Sequence, residues 1–363
     1  MTQRDLRALP KAHLHIHLEG AMRPATLDEL CQRYGVTRPP DTRGQVFENF
    51  GGFNQVYWAA SHCVRSRDDL ARLILEVAED AAEQGVWWIE PSFDADRYSD
   101  LREGEPHRVF DTQEEGWLFA LEAAQAASRA TGVGIGFVAG TDRSRPVENG
   151  MRRARITSAL VREDAHMIDS GMACYQGRHA GIVALGLHGP EEGFPPAPFA
   201  EVYRTGAADV GLLSAPHAGE IAPEPGGGPA SVAGALDRLG ADRVLHGVLA
   251  AEDPALVERL ARADVCLDVC PSSNIQLSVY RTIEEHPLPA LMDAGVACNI
   301  GSDDPLLFGP DLVDEFELCR DALKLSDERI ATLARASFEH SGAPAEAKAA
   351  GLAAIDAWLA GPD

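Results

Sequence analysis

Eight short apolar runs recur along this 363-residue chain, separated by helix-period segments and longer connections, and polar motifs rich in histidine and carboxylate follow four of the runs. That rhythm predicts an α/β fold, a (β/α)8 or TIM barrel. Buried parallel strands read as continuous hydrophobic stretches because helices cover the sheet. In such barrels the chemistry gathers at the carboxyl ends of the strands. No internal repeat, low-complexity tract or long linker divides the sequence, so residues 1–363 are expected to form a single barrel domain.

The strands are expected at 11–16, 86–91, 133–139, 181–187, 211–216, 243–246, 264–269 and 296–300. Helical periodicity fills segments between them: 68–84, with Leu70, Leu73, Leu75, Val77 and Ala81, then 114–130 and 255–263. An open doubly wound sheet is the rival architecture, but it asks for a glycine-rich phosphate loop after the first strand. His17-Leu18-Glu19-Gly20 stands there instead. Two insertions face the catalytic side. Residues 38–60 carry Pro39, Pro40, Phe47, Phe50, Gly51, Gly52 and Phe53, and read as a loop that either lies over the rim as a lid or packs into the core beneath it. Residues 189–200 form a stiff, proline-rich loop after strand 4.

Composition removes some partners. A net charge of −24 argues against nucleic acid and anionic membranes. Seven cysteines, at 31, 63, 174, 266, 270, 298 and 319, show no C-x-x-C spacing, which fits a reducing compartment. The N-terminus has no apolar signal core and no stretch reaches membrane-spanning length, so the expected location is cytoplasmic.

The polar motifs fall after strands 1, 5, 6 and 8. In His13-Leu14-His15-Ile16-His17 the residues two apart point the same way on a strand, so His15 and His17 can close on one ion; His13 lies one pleat further back. His217-Ala218-Gly219-Glu220 puts a histidine at a strand end and a carboxylate one turn on, near a metal without having to bind it. Such a carboxylate can take a proton from activated water and pass it to a substrate. His246-Gly247 follows strand 6. Asp303-Asp304 before Pro305 places two carboxylates side by side, a repulsive pair unless a cation or a donor occupies the gap; turn chemistry before proline is the plainer explanation. Three histidines and a carboxylate suit a borderline cation such as Zn²⁺.

The strings Pro10-Lys11-Ala12, His15-Ile16-His17-Leu18-Glu19-Gly20, His217-Ala218-Gly219-Glu220, His246-Gly247, Cys270-Pro271-Ser272-Ser273-Asn274 and Ser302-Asp303-Asp304-Pro305 together resemble the adenosine/adenine deaminase family of the metallo-dependent amidohydrolase superfamily, in that family's order. Ser337-Phe338 resembles its C-terminal helix motif. The resemblance implies one zinc per chain held by His15, His17, His217 and Asp303. It implies catalysis by Glu220, His246 and Asp304, with substrate contacts from His17, Glu19, Gly189 and Asp304. Glu220 would protonate the purine N1, His246 would orient the nucleophile and relay its proton, Asp304 would meet N7, and the Gly189 backbone would meet the far edge. The implied reaction is hydrolytic deamination of a small 6-aminopurine substrate, adenosine or 2′-deoxyadenosine first. Free adenine and modified nucleosides such as aminodeoxyfutalosine or N6-alkyl and 5′-modified adenosines are the alternatives, and a non-catalytic purine-binding barrel is a remote one.

Departures from the family pattern cluster away from the metal motifs. Glu19 replaces an aspartate common in adenosine enzymes, whereas Ala21-Met22-Arg23-Pro24 is more like the nucleoside enzymes. Gly189-Pro190-Glu191 has lost an aspartate, His188 stands where a small residue is frequent, and the second strand carries Trp87-Trp88. Strand 4, at 181–187, has no lysine of the kind that bridges two metals in binuclear relatives, so one metal is expected. The unrelated cytidine-type deaminases need P-C-x-x-C, and serine hydrolases need G-x-S-x-G; neither occurs.

Overall fold

The computed structural model describes residues 4–99, 108–163, 181–221 and 224–361; Cys174 lies outside them. Eight strands form the sheet: β1 (Lys11–His17), β2 (Val86–Phe93), β3 (Gly134–Ala139), β4 (Gly181–Leu187), β5 (Leu213–Ala218), β6 (Arg243–His246), β7 (Cys266–Val269) and β8 (Cys298–Ile300). Each pairs in parallel with its sequence neighbour, in the order β1 to β8. The seam between β8 and β1 is closed just past β8. Asp303 N–H donates to His15 O at 3.1 Å and His17 N–H donates to Asp303 O at 3.0 Å. The residues that close the barrel are therefore the ones the sequence marks for chemistry.

The barrel interior is partly polar. Glu90 on β2 and Arg243 on β6 sit on non-adjacent strands, both fully buried, so their contact crosses the barrel. Arg243 Nη1 donates to Glu90 Oε2 at 2.7 Å, and Arg243 Nε stands 3.1 Å from Asp268 Oδ2 on β7. A buried ion pair stabilises little by itself, but removing one partner strands the other charge. Here the network fixes β2, β6 and β7 relative to each other. Outside the sheet, helix Arg67–Glu83 buries Leu70, Leu73, Ile74, Val77, Ala78 and Ala81 against it, and Ser66 caps its start by accepting from Asp69 N–H.

The strands differ from expectation only at their ends. β2 runs on to Phe93, because Ser92 and Phe93 pair with Val138 and Ala139. The larger correction concerns residues 38–60. Its second half is a helix, Phe50–Ser61, begun by Asn49, whose side chain accepts from Gly52 N–H. Both roles expected of its aromatics occur. Phe47 and Phe53 pack against Phe308 in the core, whereas Phe50, Phe53, Tyr57 and Trp58 line a cavity at the catalytic rim.

Candidate active site

His15 and His17 leave the end of β1 on one face, as two-residue spacing dictates. Their Nε2 atoms stand 3.4 and 3.3 Å from Asp303 Oδ1, and His217 Nε2, at the end of β5, lies 3.3 Å from His17 Nε2. Backbone carbonyls turn these rings inward: Asp268 O is 2.9 Å from His15 Nδ1, and Leu187 O is 3.0 Å from His217 Nδ1. Ring nitrogens fixed in this way leave Nε2 free to bind a metal. His15 Nε2 has no hydrogen-bond partner although it is fully buried. Such an orphan is costly unless a ligand completes it. The three imidazoles form one group whose ligand atoms lie within 4.8 Å of one another, and Asp303 groups with His15 and with His17, which is the chemistry of donors that suit a divalent metal.

The electrostatics of His217 and Asp303 fit such a site, whereas Asp303 and Asp268 raise the His15 imidazole against its burial. Burial, together with the neighbouring histidines, keeps the His217 imidazole well below its usual range and hence neutral, as a metal ligand must be. Burial works to raise the Asp303 carboxyl, but the neighbouring His15 and His17 imidazoles outweigh it and hold it well below the ordinary value. Asp303 and His246 both have positive φ, 59° and 61°. Backbone in this region is strained for residues other than glycine and tends to persist at functional sites.

Glu220 follows β5 by two residues and is 6% exposed. Burial and the nearby charges of Asp303 and Glu191 push its carboxyl well above the usual range, which favours its protonated form. Its Oε1 stands 3.5 Å from His246 Nε2. Asp304 is likewise raised, by burial and by adjacent Asp303. The Asp304 side chain makes no helix-capping bond before Pro305, so the turn explanation does not account for it. It leans instead over Gly20, where a Cβ would come within 1.7 Å of Asp304 Oδ1.

Glu19 is 3% exposed and accepts from Tyr98 at 2.6 Å and Tyr57 at 3.2 Å. Gly189, at φ 93°, lines the cavity beside His188, whose Nε2 is 3.1 Å from Asp94. All nine residues singled out by sequence thus surround one centre or its cavity. That cavity, of about 500 Å³, starts at His17, His217, Glu220, Asp303 and Asp304 and extends to Trp58, Arg97, Asp142 and Arg145.

Supporting residues escaped the sequence reading. The Glu191 carboxylate accepts from the backbone N–H groups of Gly219 (2.8 Å), Glu220 (2.7 Å) and Ile221 (3.0 Å), and from Ser231. One side chain from the β4 loop thereby fixes the corner carrying Glu220. Ser273 donates to Asp303 Oδ2 at 2.7 Å. His13 Nε2, the third histidine of the first motif, accepts from Ser302 N–H at 3.1 Å and points away from the centre. His13→Ala is expected to leave metal content near that of the wild type and to lower stability by about 1–3 kcal/mol, the cost of a stranded buried N–H. Metal analysis and chemical denaturation read the two effects separately, and a large metal loss would contradict this placement.

A parallel barrel whose C-terminal rim bears three histidines, paired aspartates and a buried glutamate belongs to the metal-dependent hydrolases. The family model described as Adenosine deaminase matches residues 10–358. The chain is 39% identical to a putative adenosine/adenine deaminase of Streptomyces virginiae over 99% of both sequences. It is 35% identical to an aminodeoxyfutalosine deaminase of Streptomyces avermitilis, covering 99% of this chain and 96% of that one. Among solved structures, adenine deaminase from Arthrobacter aurescens superposes with a TM-score of 0.80 at 27% identity, covering 97% of this chain and 99% of the other. The chain belongs to the adenosine deaminase family of hydrolytic deaminases.

Proposed function

We propose that the protein hydrolytically deaminates a 6-aminopurine bearing an N9 substituent, with adenosine and 2′-deoxyadenosine as substrates and inosine or deoxyinosine plus ammonia as products. The cavity carries this reading. Its volume of about 500 Å³ falls in the range of sites enclosing a whole small-molecule ligand, roughly 300–1,000 Å³. Only its inner end is occupied by the metal-type cluster, which leaves the outer part for a sugar.

His15, His17 and His217 through Nε2, and Asp303 through its carboxylate, would hold one Zn²⁺. A zinc ion in such a set supplies Lewis-acid activation of water. The chain's own groups do the rest. Glu220, protonated and fixed by Glu191, donates to the purine N1 and draws electron density from C6. Asp304, also protonated, donates to N7 from the other side. The Gly189 backbone meets the far edge of the ring, and His17 and Glu19 flank the sugar. Water adds at C6 and ammonia leaves.

Charge in the outer cavity favours a nucleoside over a nucleotide. Glu19, Asp94 and Asp142 face Arg97 and Arg145 there, so the carboxylates outnumber the arginines. A 5′-phosphate would enter this wall against like charge. An extended 5′ substituent is a second reading, favoured by the reach of the cavity past Trp58 and by the relative named for aminodeoxyfutalosine.

The test is ammonia release by the zinc-loaded protein from adenosine, 2′-deoxyadenosine, adenine, AMP, N6-methyladenosine and aminodeoxyfutalosine. A kcat/KM above about 10⁴ M⁻¹s⁻¹ on adenosine, with AMP at least tenfold poorer, is expected. Adenine turned over in preference to every nucleoside would overturn the reading.

A further inference from the structure

Within the motif Cys270-Pro271-Ser272-Ser273-Asn274, Ser273 supports Asp303, but Asn274 has no role in the chemistry described so far. The motif forms the short helix Pro271–Gln276 behind the centre, and Asn274 there is fully buried between two histidines. His286, in the connection after that helix, is 3% exposed, and His246 is fully buried at the end of β6.

The order of donors along this row is fixed at one end by a group with no choice. Leu288 backbone N–H can only donate, and it points at His286 Nδ1 at 3.2 Å. His286 Nδ1 is therefore the acceptor and Nε2 carries the ring proton. His286 Nε2 lies 3.1 Å from Asn274 Oδ1 and donates to it. That leaves the Asn274 amide NH₂ toward His246 Nδ1, 3.5 Å away. His246 Nδ1 must then accept, and the proton of its neutral ring sits on Nε2.

We infer that His286, acting through Asn274, is a positioning residue that holds His246 in the Nε2–H tautomer. An independent observation agrees. His246 Nε2 lies 3.5 Å from Glu220 Oε1 and 3.8 Å from Asp303 Oδ2, and a bare nitrogen lone pair facing the Asp303 carboxylate would be repelled. Nε2 is buried, makes no hydrogen bond and faces the space between the Glu220 and Asp303 side chains. Burial lowers His286 to about 4, so its own ring stays neutral at working pH.

The consequence concerns His246 itself. With its proton on Nε2 it enters the reaction as a donor that orients an oxygen. It does not start as the base that takes the first proton from water, which narrows the relay role expected from the family resemblance. The tautomer follows from packing alone, whatever purine the enzyme takes, although its catalytic effect rests on the deaminase reading.

Nitrogen-15 NMR of ring-labelled histidine in the zinc-loaded protein tests it without substrate. The wild type is expected to show His246 Nε2 as the protonated, pyrrole-type nitrogen and Nδ1 as the bare one. His286→Leu should mix or reverse the two signals and lower kcat by about 10–100-fold, with KM and zinc content unchanged. His286→Gln, whose amide can accept from Leu288 and donate to Asn274, should restore both. Asn274→Asp, which can only accept, should move the proton to Nδ1. A wild-type His246 protonated on Nδ1, or a tautomer unmoved in both His286→Leu and Asn274→Asp, overturns the inference. If no purine is turned over, the nitrogen signals still decide it, so its failure is separable from failure of the proposed reaction.

Discussion

Glu220→Gln is expected to keep its metal and lose about 10³-fold in kcat, the middle of the roughly 10²–10⁴-fold range contributed by a positioned general acid. The substitution preserves shape and removes one titratable proton. Glu220 accepts no bond from the metal-type histidines, and its backbone is held by Glu191, so the corner should survive. The residual rate should also lose its decline at high pH. In the wild type that decline marks Glu220 giving up its proton, since burial, Asp303 and Glu191 raise its carboxyl well above the ordinary 4.5. Stability has a definite sign too. A carboxyl raised in the folded state binds more protons there than in the unfolded chain at pH values between the two pKa values. The unfolding free energy therefore falls as pH rises through that window. Glutamine carries no such penalty. Metal-loaded Glu220→Gln should accordingly melt at or above the wild-type temperature at neutral and mildly alkaline pH. Near-normal turnover would remove Glu220 from the mechanism, and a collapse in melting temperature would show that its acidity is not what the site pays for.

The strands were legible because a parallel barrel buries both faces of its sheet, so Gly181–Leu187 or Cys298–Ile300 reads as an apolar run. Metal-type and proton-carrying residues were legible because strand ends deliver them directly, and their spacing follows the pleat. Helix Phe50–Ser61 was not, since glycines at 51 and 52 and scattered aromatics hide a helical period. Its one local sign was Asn49 three residues before Gly52, a cap without a capping box. The supporting residues were least visible. Glu191 acts on backbone N–H groups 28 to 30 positions later, and His286 reaches His246 only through Asn274. Nothing in Glu284-Glu285-His286-Pro287 announces a buried histidine. Contacts that bring together β4 with β5, or β6 with the segment after β7, exist only once the barrel closes, so sequence patterns of local period carry no trace of them.

The adjacent aspartates offer the second large effect, and their separation is the sharper test of the site. Asp303 Oδ1 is the atom toward which both His15 and His17 converge, and Ser273 holds the other oxygen. Asp303→Ala removes the only carboxylate of the proposed ligand set and leaves buried imidazoles facing each other. Metal affinity should fall by at least ~100-fold, since even supporting partners of metal ligands cost about 10–100-fold. Activity should vanish with the metal and return in part at high zinc concentration. Asp304 differs in kind. Burial and the charge of Asp303 raise its carboxyl well above the ordinary range, it faces the cavity, and its Oδ1 has no partner. Asp304→Ala should bind metal like the wild type and lose about 10²–10³-fold in kcat/KM, as when one buried donor to a reacting system is removed. Metal content by elemental analysis and kcat/KM at saturating zinc separate the two. Equal metal loss in both variants would mean that the carboxylates share the ion, and the raised Asp304 proton would then have no place in the reaction.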